Sequence, residues 1–144
     1  MTGTFIDPDR AQFEAFKALD RDTPLNMLNL VRFRAAAAYP EGHALAQASL
    51  TGAEAYANYG KDTAPILAKV GGTILWRGQF ESILIGPEDE RWDAVFIAFY
   101  PNAGAFLAMV TDPDYQRAVV HRQAAVLTSR LIRCASAEIG AAFG

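Results

Sequence analysis

Hydrophobic residues recur along the chain with two different spacings, which predict a mixture of helices and strands. In residues 7–20 the apolar positions fall on one helical stripe, and Asp7 followed by Pro8 is typical of a helix start. Residues 25–34 instead alternate as a strand does, yet both faces of this predicted strand are mostly apolar. We therefore expect an N-terminal packing helix, followed by a strand that is covered on both faces.

The rest of the chain predicts further helices and three more strands. A capping box at Thr51 and Glu54 and a double glycine at 71–72 bound a helix, which Pro65 is expected to kink or split. A long strand is predicted over 73–86 and a returning strand over 92–100. A short helical segment at 102–110 leads into a stronger helix over 111–129 with Asp112 as its N-cap, and residues 129–139 predict the last strand.

Without the N-terminal helix and the irregular residues 35–50, the elements follow the order strand, helix, strand, strand, helix, strand. This order is the split βαβ arrangement of an α+β, ferredoxin-like fold with an antiparallel sheet. We expect a single domain over residues 1–144, in which the helix at 7–20 precedes a ferredoxin-like unit at 25–134. Because helices cover one face of such a sheet, a second copy of the sheet is the simplest cover for the other apolar face.

Length, charge and cysteine content narrow the classes of function. A chain of 144 residues that is 51% hydrophobic and 20% charged is typical of one globular domain. A net charge of −3 provides no field that attracts nucleic acid. Only Cys134 is present, which excludes an intrachain disulfide and a cysteine-built zinc site and fits a reducing compartment. The longest apolar run, AVFIAFY, is too short to cross a membrane, so we expect a cytoplasmic protein without a membrane partner.

Arg122 interrupts the apolar side of the helix predicted over 111–129. At about 100° per residue, Tyr115 and Arg122 share one side of this helix with valines and an alanine. Two interpretations fit a guanidinium at this position. It forms a structural pair, for which Asp93, Glu81 or a backbone carboxyl-end cluster is the candidate partner, or it lines a cavity and stabilises an anionic or enolate-like oxygen of a substrate.

The two histidines are further candidates for chemistry. His121 lies on the flank of the same helix, where it belongs either to a solvated face or to a pocket in which it acts as general base. His43 falls in the irregular residues 35–50 and is expected at the surface. Neither HxxxH nor HExxH occurs, and GxSxG, GxxxxGK[ST] and GxGxxG are also missing. We therefore expect no bound metal and no cofactor.

Polar and aromatic residues elsewhere are candidates for contacts to a substrate. Asn29 and Arg32 lie on opposite faces of the first strand, and the sequence does not decide which face lines a cleft; Asn29 is the preferred ligand contact. Trp76 shares a strand face with Phe80, which fits core packing or a pocket wall, and Tyr59 fits either use as well. The candidate substrate-binding residues are therefore Asn29, Arg32, Tyr59, Trp76 and Tyr115.

A series of short segments occurs in an order that is typical of one protein family: MLNLVRF, GAEAYANYG, GGTILWRG, IGPEDERWDAVFIAFYP, AFLAM, DPDYQ, HRQAA and SRLI. Over residues 26–132 this series resembles the family of domain of unknown function 1330 (DUF1330), within the dimeric α+β barrel superfamily. The resemblance implies a ferredoxin-like protomer and a homodimer whose two sheets form a barrel. It does not imply a reaction.

Related families of that superfamily look like cofactor-free monooxygenases, lactone isomerases, polyketide cyclases and haem-dependent enzymes. This analogy and the candidate residues together favour a cleft between sheet and helices that binds a small organic molecule. His121 is then the candidate general base, and Arg122 the candidate stabiliser of an anion or enolate. A cofactor-free isomerase, cyclase or monooxygenase is one expectation, and a non-catalytic module that binds a metabolite or another protein is the alternative.

Overall fold

The described part of the chain forms four helices and four strands. The computed structural model of the protein describes residues 3–143. The helices are α1 (Arg10–Ala18), α2 (Gly52–Lys69), α3 (Ala103–Thr111) and α4 (Pro113–Ala125). The strands are β1 (Leu25–Phe33), β2 (Thr73–Gly78), β3 (Ala94–Tyr100) and β4 (Val126–Cys134).

The strands form one antiparallel sheet in the order β2-β3-β1-β4. β1 lies inside the sheet and pairs with β3 and β4, while β2 pairs with β3. With α2 between β1 and β2, and with α3 and α4 between β3 and β4, this is the βαββαβ topology of a ferredoxin-like fold. The predicted α+β, ferredoxin-like fold is confirmed.

The core lies between one face of the sheet and the helices. Leu25 and Met27 of β1 are 1% and 4% exposed and pack with Phe106 and Met109 of α3. Val31 of the same strand is fully buried against residues of α2 and the start of β4. Burying each of the large side chains stabilises the fold by about 1.5–3 kcal/mol. The odd-numbered positions of β1 therefore face the helices, and the even-numbered positions face the other way.

The opposite face of the sheet carries apolar side chains that remain partly exposed. The strand register aligns Leu28 of β1 with Ile97 of β3 and Ile132 of β4, and it places Trp76 of β2 opposite Ile97. Ile132 is 44% exposed and Trp76 is 53% exposed. This surface, called the open face below, consists of Leu28, Leu30, Trp76, Val95, Ile97, Phe99 and Ile132.

β2 ends at Gly78, so the predicted strand over 73–86 forms only in its first half. Gly78 pairs with Val95, at the start of β3. Among residues 3–143 no strand pairs with residues 79–86, and an extended segment without ladder hydrogen bonds is not stabilised as sheet. This segment, residues 79–86, is called the exposed loop below. Its Leu84 and Ile85 are each 93% exposed.

The start of α1, the continuity of α2 and the start of the last strand also differ from the prediction. α1 has its N-cap at Asp9, whose carboxylate accepts from the N–H of Gln12 at 2.7 Å, two residues later than expected. α2 runs across Pro65 as one helix, and the predicted split does not occur; the neighbouring Ile66 is buried in the core, which holds the helix together. The last strand begins earlier than predicted, at Val126, because that residue already pairs with β1.

An N-terminal strap, residues 3–7, lies along β4. The N–H of Ser129 donates to the Phe5 carbonyl at 2.7 Å, and the N–H of Phe5 donates to Thr128 Oγ1 at 3.1 Å. The Arg130 guanidinium lies 4.9 Å from the centroid of the Phe5 ring. The strap therefore satisfies backbone and side-chain groups at an edge strand, which otherwise would be open to pairing with another chain.

Candidate functional site

Residues 35–50 form a loop that is fastened to the end of α4. The N–H of Arg34 donates to the carbonyl of Ala125 at 2.8 Å, and the N–H of Ala38 donates to that of Ala124 at 2.8 Å. These bonds satisfy two of the last carbonyls of α4, which have no partner within the helix. They also bring Tyr39 next to His121, which lies one helical turn before Ala125 on α4.

Tyr39, His121 and Asp62 lie in contact in a series across three segments. Tyr39 Oη is hydrogen-bonded to His121 Nδ1 at 2.6 Å, and His121 Nε2 lies 3.2 Å from Asp62 Oδ2, within ion-pair distance. The negative charge of this carboxylate favours the tautomer that carries its proton on Nε2. In the neutral imidazole, Nδ1 then holds the lone pair and the Tyr39 hydroxyl donates to it. The His121 side chain is 14% exposed and that of Asp62 is 48% exposed, so the series leads from a shielded imidazole to solvent.

His43 belongs to the same cluster. Its ring stacks on that of Tyr39, with centroids 4.7 Å apart and planes 21° apart, and its centroid lies 6.0 Å from that of His121. His43 Nδ1 accepts from the N–H of Leu45 at 3.0 Å, which fixes the ring orientation. His43 is half-buried rather than at the surface as the sequence analysis expects.

A wide cleft of about 750 Å³ opens beside this cluster. It lies between α2, α4 and the loop of residues 35–50, and not between sheet and helices as predicted from the sequence. Its lining residues come from these three segments: His43; Lys61, Asp62 and Pro65; and Asp114, Gln116, Arg117, Ala118, Val120 and His121.

Charged groups of both signs line the cleft. Arg117 forms an ion pair with Asp114 on α4, and the Asp62 carboxylate lies within ion-pair distance of His121. Among the ion pairs between residues of the described range 3–143, Lys61 takes part in none. The cleft therefore offers an ammonium group, a carboxylate and two imidazoles to a polar ligand.

Arg122 is occupied by the N-terminal strap. Its guanidinium donates to the Ile6 carbonyl and, at 3.1 Å, to Ser129 Oγ. The predicted ion pair with Asp93 or Glu81 is not found within the described part of the chain, and the Asp93 carboxylate instead accepts from the N–H of Phe33 at 2.8 Å. Arg122 is not among the residues that line the 750 Å³ cleft. It therefore has a structural use, fastening the strap to α4 and β4.

Two of the predicted substrate contacts, Tyr59 and Tyr115, bond to each other in the interior. Their hydroxyl oxygens are 3.0 Å apart. Burial raises the pKa of both phenols, and it raises the pKa of the neighbouring Tyr56 to about 12, while the positive charge of Arg122 acts in the opposite direction on all three pKa values. These tyrosines form a buried cluster between α2 and α4 whose phenols stay protonated at neutral pH.

The remaining predicted contacts are scattered over the molecule. Asn29 lies on the helix-facing side of β1, where its amide donates to the Met27 carbonyl at 2.9 Å. Arg32 lines a second cavity of about 370 Å³ together with Asp89 and residues of the strap and β4. Trp76 lies on β2, far along the sheet from the cluster, with its ring over Gly78. His121 is thus the one predicted site residue that the structure places at the 750 Å³ cleft.

Sequence reasoning missed Tyr39, Asp62 and the position of His43. Tyr39 and His121 are 82 residues apart, so no spacing rule connects them. Asp62 follows Lys61 on α2, where two adjacent charges are typical of any solvated helix surface. A signal would have been available only from the helical wheel of α4, which places His121 next to its apolar side.

Neither a metal-binding group of side chains nor a membrane-spanning helix is found in the part of the chain that the structure describes. No three His, Cys, Asp or Glu side chains among residues 3–143 are grouped so that they could hold a metal ion. None of the helices in that range is long and apolar enough to span a membrane.

Solved structures are similar to this chain over most of its length. The RPA0582 protein of unknown function from Rhodopseudomonas palustris is 52% identical, with a TM-score of 0.88 over 95% of this chain and 100% of that chain. Methylated RPA0582 is 52% identical, with a TM-score of 0.89 over 96% and 99% of the two chains. A dimeric protein of unknown function with a ferredoxin-like fold from Bacteroides fragilis is 12% identical, with a TM-score of 0.47 over 78% and 96%. Comparison with the curated proteins finds no match.

The sequence family that matches is the one described as domain of unknown function (DUF1330). Its match covers residues 41–133, more than half of the chain, and it includes α2, the cleft and the last three strands. The resemblance predicted over residues 26–132 starts earlier and ends at nearly the same place. The chain belongs to the DUF1330 family.

Proposed function

We propose that the chain binds a small polar organic molecule in the 750 Å³ cleft and that His121 accepts a proton there. The observation that carries this proposal lies at the edge of the cleft, where Tyr39 is hydrogen-bonded to one ring nitrogen of His121 and the Asp62 carboxylate lies 3.2 Å from the other. A base held by a second group and placed beside a cavity is the equipment that proton transfer requires. The expected reaction class is a cofactor-free isomerisation, cyclisation or oxygenation that begins with removal of a proton.

Asp62 supports the role of His121 electrostatically. When His121 accepts a proton it becomes an imidazolium, and the carboxylate 3.2 Å from Nε2 stabilises that positive charge. Lys61, which has no ion-pair partner among residues 3–143, supplies a cation for a carboxylate or enolate oxygen of the ligand. The roles predicted for Arg122, Asn29, Arg32 and Trp76 lose support, since these side chains lie away from this cleft.

The experiment that tests binding is an NMR screen of small carboxylic acids, phenols and lactones in which the imidazole resonances of the protein are observed. Compounds that bind in the cleft are expected to shift the imidazole resonances of His121 and His43 and to bind at least about tenfold more weakly to His121→Gln. Glu14→Gln on α1, where Glu14 is paired with Lys17 far from the cleft, is the control for loss of a surface polar group. Compounds that bind without moving either imidazole would place the ligand site elsewhere.

Catalysis is separated from binding by hydrogen exchange at carbon. Each bound compound with an acidic C–H is incubated in D₂O with wild-type protein and with His121→Gln, and deuterium incorporation is followed by NMR. Incorporation that requires His121 supports an enzyme. Binding without incorporation by any compound supports the alternative, a non-catalytic module that binds a metabolite, for which the unpaired Lys61 and the open cleft would be sufficient.

We also infer that the protein is a homodimer in which two open faces meet, as in a dimeric α+β barrel. The open face leaves Leu28, Ile97 and Ile132 partly exposed, and the exposed loop adds Leu84 and Ile85 at 93% exposure. So many exposed large apolar side chains are rarely left uncovered in a monomer. The expectations of a cytoplasmic location and of no nucleic-acid partner remain predictions from composition and charge.

A further inference from the structure

We propose that Tyr39 is an activated nucleophile, with His121 as its base and Asp62 as the group that stabilises the protonated base. The inference rests on the proposed role of His121 as a proton acceptor and names the atom from which the proton comes. The reactive atom is then the phenol oxygen of Tyr39, and the fitting class of reactant is an electrophilic acyl or sulfonyl compound.

The first argument is that both nitrogens of His121 are occupied. Nε2 lies 3.2 Å from the Asp62 carboxylate, and in the tautomer that this charge favours Nδ1 accepts from the Tyr39 hydroxyl at 2.6 Å. A ligand in the cleft reaches the Nδ1 lone pair only by displacing the Tyr39 hydroxyl. The proton that His121 is placed to accept is therefore the one on Tyr39, and removing it leaves a nucleophilic phenolate oxygen.

The second argument is that Tyr39 differs from the other four tyrosines of the chain. Tyr59 and Tyr115 bond to each other, and Tyr100 donates to the Met109 sulfur at 3.8 Å. Burial raises the pKa of Tyr56, Tyr59, Tyr100 and Tyr115, and among residues 3–143 none of these four phenols is hydrogen-bonded to an imidazole or a carboxylate. Tyr39 is half-buried and bonded directly to a base.

The third argument is that the three groups are arranged as a nucleophile, a base and an acid that orients the base. In such an arrangement the nucleophile and the base are within hydrogen-bond distance, and a third group holds the base in one tautomer. Here the distances are 2.6 Å for the nucleophile and base and 3.2 Å for the base and acid. The ring of His43, which lines the cleft, stacks on Tyr39 at 4.7 Å and holds the phenol in place beside His121.

The covalent step can be written for an arylsulfonyl fluoride, the probe used to test it. The Tyr39 oxygen attacks sulfur and forms an S–O bond, while the S–F bond breaks and fluoride leaves with the bonding electron pair. The phenol proton moves to His121 Nδ1, and Asp62 stabilises the resulting imidazolium. No oxidant, metal or further reactant is required.

The test is site-resolved labelling of the full chain with the arylsulfonyl fluoride at about pH 8, where an ordinary imidazole is neutral. Tyr39 is expected to be the main labelled tyrosine by peptide mass mapping, and Tyr39→Phe is expected to lose that label. His121→Gln should slow labelling of Tyr39 by at least about tenfold, and Asp62→Asn by a smaller factor. Glu14→Gln, on α1, should label like wild-type. Equal labelling rates of Tyr39 in wild-type and His121→Gln would overturn the proposal.

A second measurement covers the case in which a variant fails to fold. The ¹⁵N shifts of the His121 ring in the wild-type protein report its tautomer directly, with the His121→Gln spectrum as the assignment. An unprotonated Nδ1 is expected, and a protonated Nδ1 in the neutral ring would overturn the proposal. Fast, His121-dependent labelling together with no deuterium exchange in any bound compound would leave this inference standing while the proposed proton transfer from a ligand fails.

Discussion

Tyr56 shows how burial turns a single residue into a pH-dependent contribution to stability. Its phenol lies between α2 and α4, and its pKa rises from 10 to about 12 because the interior disfavours the phenolate. A folded-state pKa above the unfolded value means that the folded chain holds the proton more tightly. The stabilisation is complete below about pH 10, the pKa of an unfolded tyrosine, and is lost as the pH rises through the folded value.

Replacing Tyr56 by Phe should therefore weaken the alkaline dependence of stability. Between about pH 10 and 12 the wild-type free energy of unfolding is expected to fall with pH, and Tyr56→Phe should reduce that slope by up to about 1.4 kcal/mol per pH unit. Urea unfolding at a series of pH values measures both slopes. The same slope in both proteins would show that Tyr56 is ionised in the folded state at its ordinary pKa.

At the residue scale, the sequence predicted a chemical role for His121, but it did not predict which residues contact His121. An imidazole on the edge of an apolar helix side was a visible signal, whereas the contacts to Tyr39 and Asp62 depend on where the loop of residues 35–50 and α2 lie relative to α4. The same reason explains the error about Arg122. Its position on an apolar side was correct, yet its partner is a carbonyl of the strap, 116 residues earlier in the chain.

At the scale of elements, α2 shows which helix features that the sequence predicts are present in the structure. Thr51 and Glu54 form the predicted capping box, with Thr51 Oγ1 accepting from the Glu54 N–H at 3.1 Å and the Glu54 carboxylate accepting from the Thr51 N–H at 2.9 Å. These hydrogen bonds lower the pKa of Glu54. Caps are local, so sequence predicts them well, whereas the passage of α2 across Pro65 depends on packing against the core.

Removing the cap should destabilise the protein by a measurable amount. Thr51→Ala is expected to lower the free energy of unfolding by about 0.5–2 kcal/mol, because backbone donors at the start of α2 lose their acceptor. Thr63→Ala, in the interior of the same helix, is the matched control and should be neutral or slightly stabilising. Urea unfolding measures both variants. A loss of stability for Thr63→Ala as large as for Thr51→Ala would contradict a specific role of the cap.

The whole molecule has an apolar surface that the single chain does not bury. The open face extends over all four strands, the exposed loop follows the edge strand β2, and the helices cover the other face of the sheet. The N-terminal strap lies along the other edge strand, β4. Association is therefore expected through the open face and the exposed loop.

Sedimentation tests this assembly. Wild-type protein at micromolar concentration is expected to sediment with twice the 15.6 kDa mass of the chain. The double substitution Leu84→Asp and Ile85→Asp should shift it towards the monomer by at least about tenfold in dissociation constant, since both side chains are exposed in the single chain and their loss leaves the core intact. The control variant Leu19→Asp also replaces an exposed leucine by aspartate, at the end of α1, and it should remain dimeric. A stable wild-type monomer would remove the dimer.

The sequence by itself determined the order of helices and strands, the ferredoxin-like topology and the apolar character of both sheet faces. These follow from periodicity and caps, which act over a few residues and are legible one segment at a time. Only the tertiary structure decided that β2 stops at Gly78, which face of β1 carries Asn29, and where the cleft lies. The physical reason is that a strand needs a neighbouring strand, and a series of contacts such as Tyr39–His121–Asp62 needs three segments, which only folding brings together.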